Sequence, residues 1–482
     1  MRPRPVLHLI SYTLTFIALG EGICWLISWL AGDPAPAQWA LAVSCGVVLS
    51  IAFAMWALTR GPVTLSRRDG FAIVTFGWIA ATVAGSLPYL LSGVISHPVS
   101  ALFESMSGFT TTGASVLTNL EHLPRGILFW RGMTQWLGGM GVLVLCIAIL
   151  PFLGVGGMRI YRAEIPGPSK DRLTPRIAST AKLLWGLYVL LSLSEVALLM
   201  VGGMDWYDAS CHTFTTMSTG GFSTRTASVA AFNSAYIEIV MIVFMFLAGA
   251  NFALHYRALR GKPQSFVRDP EFRFYTALWL GSCLALSVNV WGGVYQGAGE
   301  ALRAGFFQGT SIMTTTGYVT RDFNAWPNAS RVLLVLLMFI GGCGGSTGGG
   351  IKVMRFLVVL KQIARELGRA MHPRTIMKIK LGRQSLEENT VSNISSFVIV
   401  FVAIFAVASL AMAFFTPDLV TAASSVAATL GNIGPGLGAV GATETYACIP
   451  AAGQIILIAC MLLGRLELYT VLILLHRGFW KR

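Results

Sequence analysis

Four short stretches of this 482-residue chain place small hydroxyl side chains beside glycine. They read FTTTGAS (Phe109 to Ser115), MSTGGFS (Met217 to Ser223), MTTTGYV (Met313 to Val319) and, in altered form, TLGNIGPG (Thr429 to Gly436). Aligned on Gly113, Gly220, Gly317 and Gly434, the copies lie 107, 97 and 117 residues apart. Those glycines reach positive φ without steric cost, so consecutive carbonyls can face one axis. A ring of carbonyl oxygens replaces the hydration shell of a monovalent cation. One Thr-Thr-Gly triplet alone is a helix C-cap followed by a turn. Four at equivalent places describe four walls of one pore.

The elements that must position these hairpins follow from hydropathy. Hydrophobic residues make up 55% of the chain and charged residues 12%, and long apolar runs recur from end to end, which excludes a soluble globular protein. Two helices come first, near 6 to 30 and 37 to 59, joined by the polar turn GDPAPAQ at Gly32 to Gln38. Four units follow, each an outer helix, a half-helix of about ten residues that is too short to span, the polar hairpin, and an inner helix. The outer helices are expected near 70 to 92, 179 to 203, 273 to 294 and 391 to 415, and the inner ones near 127 to 153, 234 to 258, 330 to 369 and 449 to 475. The fold class is therefore an all-α polytopic membrane protein, with four pseudo-repeated helix–pore-helix–helix units around one central pore and an N-terminal helix pair. Boundaries are placed at 1–62 for the pair and at 63–160, 161–262, 263–372 and 373–482 for the units. Each half-helix enters from outside and ends at mid-depth, so its C-terminal dipole end favours a cation there.

The net charge of +14 would suit nucleic acid if it were clustered on a soluble face. Its placement excludes that partner. On this topology 27 of the 35 basic residues fall on the side that holds both termini, which makes that side cytoplasmic. They include Arg60, Arg67 and Arg68; Arg159, Arg162, Lys170, Arg172, Arg176 and Lys182; Arg257 to Arg273; and Arg355 to Arg383. The basic excess is secondarily a surface for anionic membrane lipids or a soluble regulator. The eight cysteines have no metal-binding or redox spacing and read as packing residues.

Two features suggest control. The run Gly341, Gly342, Cys343, Gly344, Gly345, Ser346, Thr347, Gly348, Gly349, Gly350 interrupts the third inner helix, and glycine costs about 1 kcal/mol relative to alanine inside a helix. It should break into an intramembrane loop along the permeation path, where exposed backbone groups face a cavity. It lacks the Gly-Lys-Ser/Thr ending of a phosphate loop. Arg465 lies near the bilayer middle of the fourth inner helix, where a charge costs about 2.5 to 3.5 kcal/mol. It reads as a cation in the path that repels the permeating ion or latches the glycine run, with Lys352 assisting; an ion pair with Glu467 or an interhelix clamp is the plainer alternative. Glu104, Asp205, Asp208, Glu300 and Asp418 lie toward the outer mouth, where ordinary N-terminal helix charge competes with cation gathering. His212 and Tyr318 read as packing or hydrogen-bonding residues. No residue pair has acid–base or nucleophile spacing, so no enzyme activity is expected.

With these residues in hand, the chain resembles the Trk/Ktr/HKT superfamily of potassium transporters, specifically its TrkH/TrkG-type membrane subunits. The carrying motifs are Thr110-Thr111-Thr112-Gly113, Ser218-Thr219-Gly220-Gly221, Thr315-Thr316-Gly317-Tyr318, Asn432-Ile433-Gly434-Pro435-Gly436, the run Gly341 to Arg355, and Gly464 to Thr470. The resemblance implies that Thr111, Thr112, Gly113, Ser218, Thr219, Gly220, Thr315, Thr316, Gly317, Asn432, Ile433 and Gly434 coordinate potassium, mainly through main-chain carbonyls. It implies one glycine per unit and loose selectivity, with rubidium accepted and sodium partly excluded. It also implies an intramembrane gate at the glycine run, a homodimer with one pore per protomer, a TrkA-like cytosolic nucleotide-binding ring protein as partner, and a bacterial inner-membrane location. An alternating-access symporter coupled to protons or sodium is the competing mechanism. It usually buries ionisable residues at its site, and the hairpins contain none.

Overall fold

The computed structural model describes residues 3–61, 66–148, 173–374, 377–382 and 384–480. The expected end of the first inner helix, the loop carrying Arg159, Arg162, Lys170 and Arg172, and the boundaries near 62 and 160 lie outside these residues, as do Arg2, Arg383, Lys481 and Arg482.

The leading pair is α1 (Pro3–Leu30) and α2 (Ala35–Leu58). These helices pack on each other, and both pack on the first unit. Proline at the start of α2 suits a position whose N–H has no intrahelical partner. The first unit comprises α3 (Arg67–Leu91), the half-helix α4 (Pro98–Phe109) and the inner helix α5 (Arg125–Ala148). A capping box between Ser66 and Asp69 starts α3.

The second unit comprises α6 (Leu173–Val201), the half-helix α7 (Trp206–Met217), and an inner helix split into α8 (Ala235–Ala248) and α9 (Phe252–Leu259). A short α10 (Gln264–Arg268) leads into the third unit. That unit has α11 (Pro270–Val290), the half-helix α12 (Ala298–Met313), α13 (Asn328–Met338) and, after a non-helical stretch, α14 (Val353–Met371). A two-residue hairpin, β1 (Lys380–Leu381) with β2 (Gln384–Ser385), precedes the fourth unit. The fourth unit is α15 (Glu388–Met412), the half-helix α16 (Leu419–Leu430), α17 (Ala451–Arg465) and α18 (Tyr469–Leu475).

Among the described residues five helices are long and apolar enough to cross a membrane, or seven if each bent pair is one span. The half-helices run 12, 12, 16 and 12 residues, so the third exceeds the expected length.

Two expectations of continuity are corrected. The second inner helix bends by 101° between Ala248 and Phe252, and the fourth by 117° between Arg465 and Tyr469. At the first bend Asn251 caps a new helix, its side chain accepting from the Ala253 amide. At the second, Glu467 and Leu468 hold positive φ of 56° and 48°, which no glycine signals.

Candidate functional site

Each half-helix ends in the same way. The amide of the last hairpin residue before the glycine reaches back five positions to a half-helix carbonyl: Thr112 to Ser107 at 2.8 Å, Gly220 to Thr215 at 2.7 Å, Thr316 to Ser311 at 2.8 Å and Ile433 to Ala428 at 2.8 Å. The residue before it is left-handed in all four units, with φ of 50° at Thr111, 56° at Thr219, 60° at Thr315 and 55° at Asn432. The residue after it is a left-handed glycine: Gly113, Gly221, Gly317 and Gly434, at φ of 81°, 74°, 84° and 102°.

This pattern corrects the alignment of the second hairpin by one residue. Its left-handed glycine is Gly221, and Gly220 stands where the other hairpins carry Thr112, Thr316 and Ile433. Ser218 accordingly matches the half-helix caps Thr110, Thr314 and Gly431 rather than the left-handed position. The clue lay in the sequence, since aligning on Thr-x-Gly pairs Thr219-Gly220-Gly221 with Thr315-Thr316-Gly317 and Phe222 with Tyr318.

With that register the four hairpins close a ring. A Cβ on Gly113 would fall 2.1 Å from the Gly220 carbonyl oxygen, and one on Gly221 2.0 Å from that of Thr316. On Gly317 it would fall 1.8 Å from the Ile433 oxygen, and on Gly434 2.8 Å from that of Thr112. Each left-handed glycine thus abuts the preceding-residue carbonyl of the next unit, in the order one, two, three, four, one. Only a residue without Cβ permits that approach.

The glycine run packs against the C-terminal ends of the half-helices. The Gly349 amide donates to the Thr315 hydroxyl at 2.7 Å, and the Thr347 hydroxyl donates to the carbonyl of Met217, last residue of α7, at 3.0 Å. A Cβ on Gly349 would fall 2.4 Å from the Gly431 carbonyl. The break at Gly249 to Asn251 supplies partners for the run's own backbone: Cys343 N to Gly249 O at 2.8 Å, and Phe252 N to Gly345 O at 3.1 Å. Irregular backbone at membrane depth needs such partners. Glu271, a residue the sequence reading did not single out, accepts from the amides of Gly344 at 2.6 Å and Met354 at 3.3 Å.

Arg465 is buried, and its guanidinium donates to the carbonyls of Thr347 at 2.7 Å and of Gly138 on α5 at 3.4 Å. It therefore bridges the run to the first inner helix. Glu467 pairs instead with Arg355, whose guanidinium also lies 3.9 Å from the Phe397 ring centroid. Lys352 donates to the Gly348 carbonyl.

A family model described as TrkH, cation transport protein, matches residues 42–478. The chain belongs to the TrkH family. It is 40% identical to the Trk system potassium uptake protein TrkH of Halomonas elongata, with both chains covered completely. It is 36% identical to TrkG of Escherichia coli over 89% of this chain and 88% of that one. It superposes on the crystal structure of the potassium transporter TrkH from Vibrio parahaemolyticus with a TM-score of 0.92 at 37% identity, covering both chains completely. Membership in this transport family places the chain among multi-pass membrane transporters and not among enzymes.

In this TrkH-family chain the outer charges serve as braces. Glu104 is fully buried and takes Arg131 at 2.8 Å, while Arg131 also donates to Ser115 and to the Ser223 carbonyl, joining the first two hairpins. Asp208 accepts from Thr224 and Arg225. Asp205 and Asp418 are N-caps of their half-helices, and Glu300 meets Arg321 at 3.4 Å near the surface. These arrangements support the plainer reading of those charges over cation gathering. Hydrogen bonds from Thr421 hold the exposed Asp418 carboxyl below its ordinary value.

His212 and Tyr318 do form hydrogen bonds behind the ring. The Tyr318 hydroxyl donates to the His212 carbonyl at 2.8 Å and meets Thr215. At the fourth corner the Asn432 amide donates to the Thr112 hydroxyl at 3.0 Å and the Met461 carbonyl at 3.0 Å, and the Tyr446 hydroxyl donates to the Gly434 carbonyl at 2.7 Å.

Proposed function

We propose that this chain carries potassium into the cell down its electrochemical gradient, through a gated pore whose selectivity filter is the ring of hairpin carbonyls. The observation that carries the reading is the closed order of left-handed glycines against neighbouring carbonyls. It presents backbone oxygens, with no ionisable side chain, where four half-helix C-termini converge. The filter set is Thr111, Thr112, Gly113, Thr219, Gly220, Gly221, Thr315, Thr316, Gly317, Asn432, Ile433 and Gly434, with Ser218 as a cap. One hairpin glycine per unit is left-handed, which favours potassium and rubidium over sodium without strict exclusion.

The stretch 341–350 with Lys352 and Arg465 acts as the gate. Arg465 lies where a permeating cation would pass between the run and the first unit, and its positive charge opposes that passage. Release of its bonds to Thr347 and Gly138 would free the run to move. The unit boundaries at 62, 160, 262 and 372 mark the pore's four walls and the leading pair. The working form is a homodimer in the bacterial inner membrane, with both termini and the basic loops cytoplasmic. There a TrkA-like nucleotide-binding ring protein docks and anionic lipids gather.

Labelled rubidium flux into liposomes holding the full chain, at varied voltage and pH and with and without that ring protein, tests the reading. A reversal potential that follows the potassium gradient alone is expected. One that shifts with the proton or sodium gradient would replace the channel by a coupled carrier, and a flux unchanged by the ring protein would remove that partner.

A further inference from the structure

The second corner of the ring lacks a side chain that its counterparts have. Where Gly220 stands, the first and third hairpins carry Thr112 and Thr316 and the fourth carries Ile433. The two threonines tie their hairpins back to the half-helix caps: Thr112 meets the Thr110 hydroxyl at 2.8 Å, and Thr316 meets that of Thr314 at 2.8 Å. In the second hairpin the cap Ser218 turns its hydroxyl to the Thr215 carbonyl at 3.3 Å instead.

Gly220 has no conformational need to be glycine, because its φ is not positive. Its constraint is steric. A Cβ there would fall 2.4 Å from both Cδ and Oε1 of Gln135, which is fully buried on the inner helix of the preceding unit. Both ends of the Gln135 amide bond the hairpin. Its Nε2 donates to the Gly220 carbonyl at 2.8 Å, and its Oε1 accepts from the Phe222 amide at 3.1 Å. The Gly220 oxygen is the one that faces Gly113 in the ring. A single side chain thus fills the missing volume and fixes the peptide planes on both sides of the left-handed Gly221.

We propose that Gln135 is a positioning residue for ion discrimination, supplied by the first unit to complete the second corner of the filter. The proposal rests on the reading of the ring as a potassium filter. Without the amide, the Gly220 carbonyl loses its orienting donor and the corner widens or turns. The other three corners keep their own ties.

The test uses the full chain in liposomes and reads the ratio of potassium to sodium flux, which does not depend on how much protein folds. Gln135→Leu keeps bulk and removes both bonds, so the ratio is expected to fall about fivefold or more, as the net loss of two hydrogen bonds implies. Gln135→Glu keeps the acceptor for Phe222 but places a carboxylate oxygen against the Gly220 carbonyl, and should lower the ratio as well. Gly220→Thr alone drives a side chain into Gln135 and should abolish flux. The double variant Gln135→Ala with Gly220→Thr gives the second hairpin the threonine of the first and third. It is expected to recover flux and part of the ratio, a non-additive result that a bulk packing role does not produce. An unchanged ratio in Gln135→Leu, or a double variant no better than Gly220→Thr alone, overturns the proposal while wild-type potassium flux stands. A wild type that passes no potassium or rubidium would overturn the potassium reading itself, and this proposal with it.

Discussion

The ring of hairpins and the layer that packs against it are built from the same four units, yet one repeats and the other does not. In the ring every corner has a left-handed residue, a carbonyl-bearing residue and a left-handed glycine, and every joint has the same contact. Beneath it, the first inner helix is continuous over its described length and the second turns by 101°. The third dissolves into the stretch 339–352, and the fourth turns by 117°. On the proposed reading, holding one ion on an axis asks the same of each wall, which a near-symmetric ring provides. The proposed gate needs a movable part held by fixed ones, which favours unequal walls.

The two layers should differ most at Gly317. A Cβ there meets the Ile433 carbonyl at 1.8 Å and must hold φ of 84°, and strained backbone of this kind alone costs about 1–3 kcal/mol. Gly317→Ala is expected to cut potassium uptake about tenfold or more in a strain dependent on this transporter, by the lower bound of that cost plus the overlap. Gly344→Ala, in the lower layer, meets nothing closer than 3.6 Å and should retain uptake. Equal tolerance at the two glycines would erase the distinction.

Next in size is Arg465→Ala. Hydrogen bonds from a charged group contribute about 1.5–3 kcal/mol each, so losing even the shorter of the two, to Thr347 at 2.7 Å, should raise cation flux in liposomes about tenfold or more while leaving ion preference intact. Unchanged flux would remove Arg465 from the proposed gate. A changed preference would show that the two layers are not separable.

A smaller effect is expected at the hinge of the second inner helix. Asn251→Ala loses an N-cap, worth about 1 kcal/mol, and leaves the partners of Cys343 and Gly345 less fixed. Faster amide hydrogen exchange across 341–350, with the ring unaffected, would confirm that α9 braces the run. Protection there equal to wild type would not.

The smallest concerns the outer edge of the ring. Burial opposes ionisation of Glu121, but bonds from the Thr226 hydroxyl and amide outweigh it and hold the carboxyl below its ordinary value. A depressed carboxyl contributes stability above its unfolded value and loses it as the pH falls through the folded one. Glu121→Gln should therefore lower the melting temperature slightly at neutral pH, with the gap closing in acid. A gap that persists in acid would assign the effect to packing.

How much of this was legible followed the same division. The hairpins, half-helices and outer helices were readable because they repeat, and repetition turns an ordinary Thr-Thr-Gly cap into a pattern. The glycine run was readable because glycine disfavours a helix. The slip at Gly220 came from two adjacent glycines with different reasons to be there: Gly221 for its φ, Gly220 for the approach of Gln135. The bend at Glu467 and Leu468 was not readable. Neither residue signals a turn of positive φ, and what accompanies it is the Arg355–Glu467 pair across 112 residues of sequence. The roles of Glu104 and Arg131 were hidden likewise, because a buried ion pair and two exposed charges look the same in a string of letters.

The order of contacts around the ring has a consequence for synthesis. Gly434 closes against Thr112, Asn432 bonds Thr112, and the Tyr446 amide donates to the Ser115 carbonyl at 2.8 Å. These joints span more than 300 residues, and long-range closures form late. A nascent chain with three units inserted has three corners and an open seam, its Thr112 and Gly317 edges waiting in the bilayer. The ring can close only once the fourth unit is in place. A chain shortened within its last unit should therefore lose the whole ring, and not a quarter of it.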